Sequence, residues 1–362
     1  MNFENSSNLG KYTLKEIYDI PRALEETLKQ TEIFKEITEK IFKIQINRIF
    51  LTGSGTSYHS GYFAQYLFNN LTKIYSAAEF APEFPYLIKS LINENDLIIA
   101  LSQSGESKGT IKTIEFGNEK KISTVCISNN PDSKLAKIAD FCIFTKCEKE
   151  ISVMATKTYI AELGVLAALA LEMAKYLNRI SDEIYTSYWN ELLSLPNKIE
   201  KLIPKSHKEV KTLISKFKLT DRCFVLGAGP DFATAKEGAL KLKEGAQIFA
   251  DEFPTAEFPH GPIILAKSNV WILTIIPSQN EIRKEYMIRL INKMKKRNPT
   301  IITISSSVDP QLVDFQLKIP FTLPELRPFL SIIPIQLLTL ELSKKKGLNC
   351  DTPEALTKIS GI

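Results

Sequence analysis

The sequence of 362 residues contains few cysteines, and those it has are scattered. They number five, at Cys126, Cys142, Cys147, Cys223 and Cys350. No two of them have the short spacing of a zinc knuckle or a redox motif. This pattern excludes a small fold stapled by disulfides and favours buried thiols in a reducing compartment.

Histidine is rarer still, and the three histidines lie far apart in the chain. Without metal-ligand spacing among them, the sequence predicts no metal site. His59 is interpreted as an ordinary helix residue and His207 as a solvated residue of a lysine-rich connector. His260 lies between Pro259 and Pro262 in a loop, and a histidine in such a rigid loop is a candidate general acid or base.

The chain also lacks a charge surplus and a long apolar run. Its 46 basic and 41 acidic residues leave a net charge of +5, so the short lysine-rich stretches predict a solvated surface and no nucleic-acid partner. The longest apolar run, 161–173, contains Glu162 and Glu172 and falls short of a membrane span. The polar amino terminus has no secretory signal. We therefore expect a cytoplasmic protein with no membrane partner.

What the sequence does contain is a repeated alternation of short apolar runs, small loops and amphipathic helices. Two similar series of strands are predicted, and they begin at Arg48, Leu97, Ser123 and Phe141 in the first half and at Cys223, Val270 and Thr300 in the second. This alternation is typical of parallel sheets covered by helices. The chain also exceeds the usual length limit for a single hydrophobic core, which indicates two domains. The predicted fold class is α/β, with two tandem domains that are each a flavodoxin-like three-layer sandwich.

The predicted boundaries follow from the same repetition. They are an amino-terminal arm or helix at 1–30, a first domain at 31–195, a second domain at 205–345 and a carboxyl-terminal tail at 346–362. A buried helix is predicted over 152–177, and a connector helix is predicted between Pro196 and Pro204. The order of elements indicates an internal duplication, although similarity between the two halves is too weak to prove common descent.

Two loops of the first half combine glycine with hydroxyl side chains where a strand meets a helix. They are Gly53–Ser57 and Ser102–Ser107. Such loops lie at the carboxyl ends of parallel strands, where helix amides can bind an anion. Either loop alone could be an ordinary turn with a hydroxyl cap, but two in succession favour phosphate. Neither has the lysine of a nucleotide phosphate loop or the third glycine of a dinucleotide loop, which indicates a small phosphorylated metabolite.

The second half carries three charged residues on one face of a predicted helix. Glu237, Lys241 and Glu244 are spaced at i, i+4 and i+7. From periodicity alone, the favoured interpretation is a salt-bridged helix surface.

Several short motifs, taken in order, give the chain a specific resemblance to a known family. They are Lys15-Glu16-Ile17-Tyr18 with Pro21, Gly55-Thr56-Ser57-Tyr58, Glu83-Phe84, Ser102-Gln103-Ser104-Gly105-Glu106, Thr156-Lys157, the run Glu237–Glu244, His260-Gly261-Pro262 and the tail 351–358. Over nearly its whole length the chain resembles the isomerase part of glucosamine-6-phosphate synthase and the glucosamine-6-phosphate deaminases built from sugar isomerase (SIS) domains. The resemblance implies two SIS domains, a phosphorylated hexose or amino-hexose as substrate, and no cofactor.

The resemblance also implies roles for individual residues. Substrate and phosphate binding falls to residues of the first half, namely Gly55, Thr56, Ser57, Ser102, Gln103, Ser104, Ser107, Val153 and Thr156. Glu244 is implied to move a proton between C1 and C2, a task that suits a carboxylate beside the reacting carbon. His260 is implied to assist ring opening in the neighbouring subunit's site, so a homodimer is expected. Lys358 in the tail is implied to form a Schiff base with the open-chain ketose.

Two positions depart from the family pattern. Ser107 replaces the usual threonine and keeps the hydroxyl. In the tail, Pro353-Glu354 stands where the family has Pro-Arg, which exchanges a cation for an anion near the implied site of Lys358.

The chemistry of the family leaves several activities open for this chain. Its synthases begin with a glutaminase domain whose nucleophile is an amino-terminal cysteine, and no cysteine precedes Cys126 here, so glutamine hydrolysis by that route is not expected. The first expectation is a deaminase that converts glucosamine 6-phosphate and water to fructose 6-phosphate and ammonia. The alternatives are an ammonia- or partner-dependent synthase, a fructosyl-amine 6-phosphate deglycase and a non-catalytic sugar-phosphate sensor. The presence of Glu244 and His260 argues against the sensor.

Overall fold

The computed structural model describes residues 8–277 and 282–358. Within these ranges the chain forms two compact units. Residues 19–150, 155–196 and 357–358 form the first-sheet unit, and residues 8–18, 151–154, 197–277 and 282–356 form the second-sheet unit. The contiguous boundaries expected from the sequence, 31–195 and 205–345, stay predictions.

The first-sheet unit contains five parallel strands in the order β2-β1-β3-β4-β5. The strands are β1 (Arg48–Gly53), β2 (Tyr75–Phe80), β3 (Asp96–Leu101), β4 (Ser123–Ser128) and β5 (Phe141–Phe144). After α1 (Lys11–Tyr18), which belongs to the second-sheet unit, the helices are α2 (Ile20–Leu28), α3 (Thr31–Ile41), α4 (Thr56–Leu67), α5 (Phe84–Ile88), α6 (Lys108–Glu119), α7 (Lys134–Ile138) and α8 (Lys157–Tyr176).

Helices cover both faces of this first sheet, which explains why its central strands are almost continuously apolar. On one face, Phe50 of β1 and Ile98 of β3 belong to the same core as Ile114 of α6. On the other face, α4 approaches so closely that a Cβ at Gly61 would lie 3.3 Å from the Leu51 Cβ. The predicted apolar helix is confirmed as α8, which is buried over almost its whole length.

The second-sheet unit also has five parallel strands, in the order β10-β9-β8-β6-β7. The strands are β6 (Arg222–Gly227), β7 (Phe249–Pro254), β8 (Trp271–Ile275), β9 (Thr300–Ser305) and β10 (Phe315–Lys318). The remaining helices are α9 (Asp182–Lys216), whose residues are divided between the units, α10 (Pro230–Ala246), α11 (Ile282–Lys295) and α12 (Pro328–Lys345).

The two sheets have the same topology, since in each the second strand pairs on one side of the first and the third strand pairs on the other. This is the flavodoxin-like order, and it confirms the predicted α/β class with two three-layer domains. The stretch Pro324–Lys345 is long and apolar enough to cross a membrane by length and composition, but 94% of its apolar window is buried inside the fold, as for a core helix.

A repeat at the level of residues accompanies this topology, and the sequence analysis missed it. Glu83-Phe84-Pro85 follows β2, and Glu257-Phe258-Pro259 follows β7. Each glutamate amide donates to the carbonyl three residues before it, at 3.0 Å for Glu83 and 2.9 Å for Glu257. The equivalent positions after these motifs are Tyr86 and His260.

The prediction that Pro196 and Pro204 flank a connector helix was wrong, because α9 runs through both. A proline inside a helix costs about 3 kcal/mol, since it removes a hydrogen bond and crowds the preceding turn. The apolar side chains that α9 buries at helical spacing offset that cost. They are Leu192, Leu195, Ile199, Leu202, Ile203, Val210 and Leu213.

Candidate active site

The predicted phosphate loops lie at the carboxyl ends of β1 and β3, the two strands where the order of the first sheet reverses. The helices after these strands, α4 and α6, cover opposite faces of the sheet. In doubly wound sheets the crevice outside such a reversal is where ligands bind. Both loops therefore border the position at which this fold accepts a small anion.

In the loop after β1, glycine is required at two positions. A Cβ at Gly53 would lie 2.8 Å from the backbone of Ser57, and Gly55 has φ of 54° directly before α4. Gly55 is exposed and Thr56 is half-buried. Ser57 is directed inward instead, and its Oγ donates to Oε1 of the buried Glu162 at 3.0 Å.

The loop after β3 is folded on itself by its own hydroxyl groups. Ser102 Oγ accepts from the Gly105 amide at 3.1 Å, and Ser104 Oγ accepts from the Glu106 amide at 3.2 Å. Gln103 is half-buried, and Ser107 is extended directly before α6. The first amides of a helix have no acceptor within it and carry the positive end of its dipole, so this loop can bind a phosphate.

A segment that the sequence analysis passed over braces this loop. The turn after β4 places Asn130, whose Nδ2 donates to the Ser104 carbonyl at 3.3 Å, and Leu135, whose amide donates to the Gly105 carbonyl at 3.0 Å. A Cβ at Gly105, where φ is 69°, would lie 2.1 Å from Ser133 Oγ. The run of serine, asparagine and proline over 128–133 was the available signal.

The loop before α8 contains a buried carboxylate whose role the sequence did not reveal. The Glu150 side chain has no solvent exposure and accepts from Thr156, Thr158 and Lys358. Burial alone would raise the pKa of Glu150, but the Lys358 ammonium at 2.7 Å and the threonine donors lower it below its usual value. Thr156, a predicted substrate residue, is thus bonded to Glu150 by its amide and its hydroxyl.

The charged residues of α10 are not the surface pairs that periodicity favoured. Glu237 and Lys241 are 0% and 1% exposed. Lys241 Nζ lies 3.2 Å from Glu237 Oε1 and 2.6 Å from Glu244 Oε2, while the Glu244 side chain keeps 22% of its exposure. Burial alone would lower the pKa of Lys241, but the two carboxylates raise it, so the amine stays charged. The cluster presents one partly exposed carboxylate beside a fixed cation.

His260 occupies an exposed position on a rigid turn in the second-sheet unit. Its amide donates to the Glu257 carbonyl at 3.0 Å. Phe258, two residues earlier, is fully buried, and its ring centroid lies 5.0 Å from that of Phe224. The anchoring aromatic ring fixes the turn while the imidazole faces outward.

The other two histidines, His59 and His207, are buried or only partly exposed. His59 is a buried residue of α4, as interpreted from the sequence. The expectation that His207 is solvated was wrong, because its Nε2 lies 2.9 Å from Glu341 Oε1 and its side chain is only 12% exposed. Among residues 8–277 and 282–358, no group of three or more histidine, cysteine, aspartate or glutamate side chains could hold a metal ion.

The motifs near the two chain ends each contain an acidic residue that accepts backbone hydrogen bonds from a distant segment. Asp351 accepts from the amides of Tyr12 and Thr13 at 3.0 and 2.7 Å, so a tail residue caps the start of α1. Glu16 of α1 accepts from the Ser152 amide at 3.3 Å. The Asp351 carbonyl accepts from Val153 at 3.0 Å, so the amide of this predicted substrate residue is engaged by the tail.

Comparison with known proteins agrees with this architecture. A family profile described as SIS domain matches residues 44–172 and 216–343. Glutamine–fructose-6-phosphate aminotransferase (isomerizing) of Thermococcus kodakarensis is 34% identical over 349 residues, covering 96% of this chain and 57% of that protein. The enzyme of the same name from Caldanaerobacter subterraneus is 31% identical and is covered to 58%. The chain therefore spans somewhat more than half the length of these curated relatives.

Solved structures give the same result. The carboxyl-terminal domain of glucosamine-fructose-6-phosphate aminotransferase from Francisella tularensis has a TM-score of 0.86 at 28% identity, over 96% of this chain and 99% of that one. Glucosamine-6-phosphate deaminase from Thermotoga maritima has a TM-score of 0.77 at 22% identity, over 96% and 99%, a likeness of fold alone. With two matched domains and the motifs described above, the chain belongs to the SIS domain family.

Proposed function

We propose that this protein is a glucosamine-6-phosphate deaminase, which converts glucosamine 6-phosphate and water to fructose 6-phosphate and ammonia. The observation that carries the proposal is the α10 cluster, in which the partly exposed Glu244 carboxylate lies 2.6 Å from the buried Lys241 ammonium. Moving a proton between adjacent carbons needs a base at a fixed position. A cation beside that base can stabilise the negative charge that develops on the substrate.

Each proposed step is assigned to a residue whose side-chain chemistry suits it. In the open-chain amino sugar, Glu244 removes the C2 proton and returns a proton to C1, while the C1 carbonyl oxygen takes a proton from the amine. The C1 aldehyde thereby becomes an alcohol and the amine at C2 becomes an imine. The Lys358 amine replaces ammonia at C2 and forms a Schiff base. Water then adds to C2 and releases the ketose and the lysine. No cofactor enters this sequence, because the C1 carbonyl accepts the electron pair that C2 releases with its proton.

The remaining predicted residues take binding and assembly roles in the proposal. The phosphate is assigned to Ser102, Gln103, Ser104 and Ser107, where the start of α6 supports an anion site. Gly55, Thr56, Ser57, Val153 and Thr156 are assigned to the substrate. His260 is proposed to assist ring opening in the partner of a homodimer, and its outward position on a rigid turn supports that assignment.

The second candidate is the reverse amination of fructose 6-phosphate, with ammonia supplied free or by a separate protein. It is favoured by the names of the relatives at 34% and 31% identity, which are aminotransferases. The isomerisation chemistry is common to both candidates, so Glu244 has the same role in each.

The test is an assay of both directions with the purified protein. Glucosamine 6-phosphate should yield equal amounts of ammonia and fructose 6-phosphate, and Glu244→Gln should abolish both products. Glu252→Gln changes a half-buried carboxylate of β7 and serves as the matched control. Turnover only from fructose 6-phosphate and ammonium would replace the deaminase by the synthase, and no turnover in either direction would reject both.

A further inference from the structure

Glu150 is held in an unusual way for a buried carboxylate. Its Oε1 accepts from the amides of Thr156 and Thr158, at 2.9 and 3.3 Å, and from Thr156 Oγ1 at 3.2 Å. Its Oε2 accepts from Thr158 Oγ1 at 2.6 Å and from Lys358 Nζ at 2.7 Å. The carboxylate is therefore anchored by residues at the start of α8, and its second oxygen is shared with the tail.

Capping of α8 does not by itself account for this arrangement. A serine or aspartate side chain at the start of a helix is exposed at little cost, whereas Glu150 is wholly removed from water. A buried carboxylate stays charged only if donors and a cation compensate for lost hydration. The threonines supply donors, and Lys358 supplies a full positive charge.

Lys358 differs from its partner in accessibility. Its side chain keeps 24% of its exposure, while Glu150 keeps none. One end of the ion pair is thus fixed in the protein interior, and the other remains reachable by a small molecule. The fixed carboxylate restricts the flexible lysine side chain to fewer rotamers and so defines the position of its amine. This restriction costs side-chain entropy.

We propose that Glu150 is the positioning residue for Lys358, holding its amine in place and receiving its proton when the amine reacts. The chemical part of this inference rests on the proposed function. An ammonium must lose one proton before its nitrogen can attack, and Glu150 Oε2 is within hydrogen-bond distance to take it.

The proton balance closes for condensation with a ketose, which is the reverse of the hydrolysis that ends the proposed sequence. The lysine nitrogen bonds to C2, and the carbonyl electron pair moves to oxygen, which takes the proton back from Glu150. The C2–O bond then breaks, and the oxygen leaves as water with one proton from nitrogen. The product is a protonated imine with the same single positive charge as the starting ammonium, so the pairing with Glu150 is restored.

The first test needs no substrate. Lys358 is labelled by reductive methylation, with the exposed lysines of the same protein as internal references, and its rate is read by mass spectrometry. Glu150→Gln should raise the relative labelling of Lys358 several-fold, because the amine loses its ion pair with the Glu150 carboxylate. Glu148→Gln, which changes an exposed carboxylate two residues away, should leave it unchanged. Equal labelling of Lys358 in all three proteins would overturn the proposal.

The second test is a double-mutant cycle on turnover with Glu150→Gln, Lys358→Met and the double variant. Glu150→Gln alone should lower turnover about tenfold or more, within the range of coupling between contacting residues. In the Lys358→Met background it should have little further effect. Equal factors in both backgrounds would mean that Glu150 only shapes the loop, and would reject the proposal.

The two tests separate this inference from the proposed function. If the wild-type protein has no turnover, the proposed function fails, while the labelling result still decides whether Glu150 holds Lys358. If Glu150→Gln does not fold, Glu150→Asp keeps the charge but withdraws it by one methylene. That variant should also raise labelling, and unchanged labelling would again overturn the proposal.

Discussion

Lys241 has a buried environment that the spacing of the charged residues on α10 did not predict. It is buried between Glu237 and Glu244, so Lys241→Met would leave two carboxylates without their cation. We expect the free energy of unfolding to fall by about 3–5 kcal/mol, measured by urea denaturation at pH 7. Lys29→Met, at an exposed pair with Glu26 of the same 2.6 Å length, should change it little. Similar losses in both variants would mean that Lys241 does not compensate the charge of the two carboxylates.

The periodicity of α10 correctly placed the three charges on one face but could not show that the face is buried. The spacing of residues along a helix shows only which side of the helix each one occupies. Because charged residues are usually solvated, a charged side is expected to face water. The same limit applies to Glu150, which is isolated in a loop and has a partner 208 positions away in the sequence.

Gly105 allows a test, at the scale of one residue, of the loop that is proposed to bind phosphate. Gly105→Ala puts a Cβ 2.1 Å from Ser133 Oγ at a φ of 69°, so the loop must move. Gly347 has a similar φ of 72° with nothing within 4 Å of the added Cβ. Gly347→Ala should cost about 1 kcal/mol of stability for the backbone alone and leave affinity for fructose 6-phosphate unchanged. Gly105→Ala should weaken that affinity at least tenfold by calorimetry, a change of about 1.4 kcal/mol, and equal affinities would refute the loop assignment.

At the scale of elements, the sequence identified the strands whose side chains are buried on both faces. β1, β3, β4, β6, β8 and β9 all coincide with predicted apolar runs, and the edge strand β5 coincides with the strand predicted over 141–144. The edge strands β2, β7 and β10 were missed because each mixes exposed with buried residues and has no continuous apolar run. Tyr75 and Phe249, for example, are 61% and 83% exposed.

The capping of α1 by a distant tail residue yields a prediction at this scale. Asp351→Ala removes the acceptor for the Tyr12 and Thr13 amides and for Thr13 Oγ1. Because hydrogen bonds to a buried charge contribute more than neutral ones, we expect a loss of about 1.5–3 kcal/mol in the free energy of unfolding. Asp309→Ala removes an exposed side chain that caps a single helical turn. The free energy of unfolding should fall clearly less in that variant. A loss no larger than that of Asp309→Ala would contradict the assignment.

For the whole molecule, the order of elements was predictable because alternating strands and helices admit few topologies. The resemblance to SIS proteins, carried by short motifs, is confirmed by the two matched domains. The site was less accessible to prediction, since its charges depend on burial and on contacts between segments far apart in sequence. The Glu83 and Glu257 repeat was visible in the sequence, but its meaning depended on the equivalent hydrogen bonds after β2 and β7.

The pH dependence of stability should reflect the ion pair of Glu150. Its folded-state pKa lies below the unfolded value of about 4.3, so its contribution to stability is present above about pH 5 and is lost as the pH falls through the folded-state value. The difference in melting temperature between wild type and Glu150→Gln should therefore be largest near pH 7 and shrink toward about pH 3. Thermal unfolding of both proteins across this pH range measures the difference in melting temperature. A difference that does not depend on pH would contradict an ionised Glu150 paired with Lys358.

Glu244 is proposed to move a proton between C1 and C2, whichever direction the protein follows in the cell. The most direct test is to incubate fructose 6-phosphate and ammonium with the protein in D₂O and to follow deuterium entry at C1 by NMR. We predict that wild type exchanges one C1 proton, and that Glu244→Gln is slower by about 100-fold or more while still binding the sugar phosphate. Exchange at equal rates in the two proteins would contradict the claim, as would wild-type exchange no faster than in buffer alone.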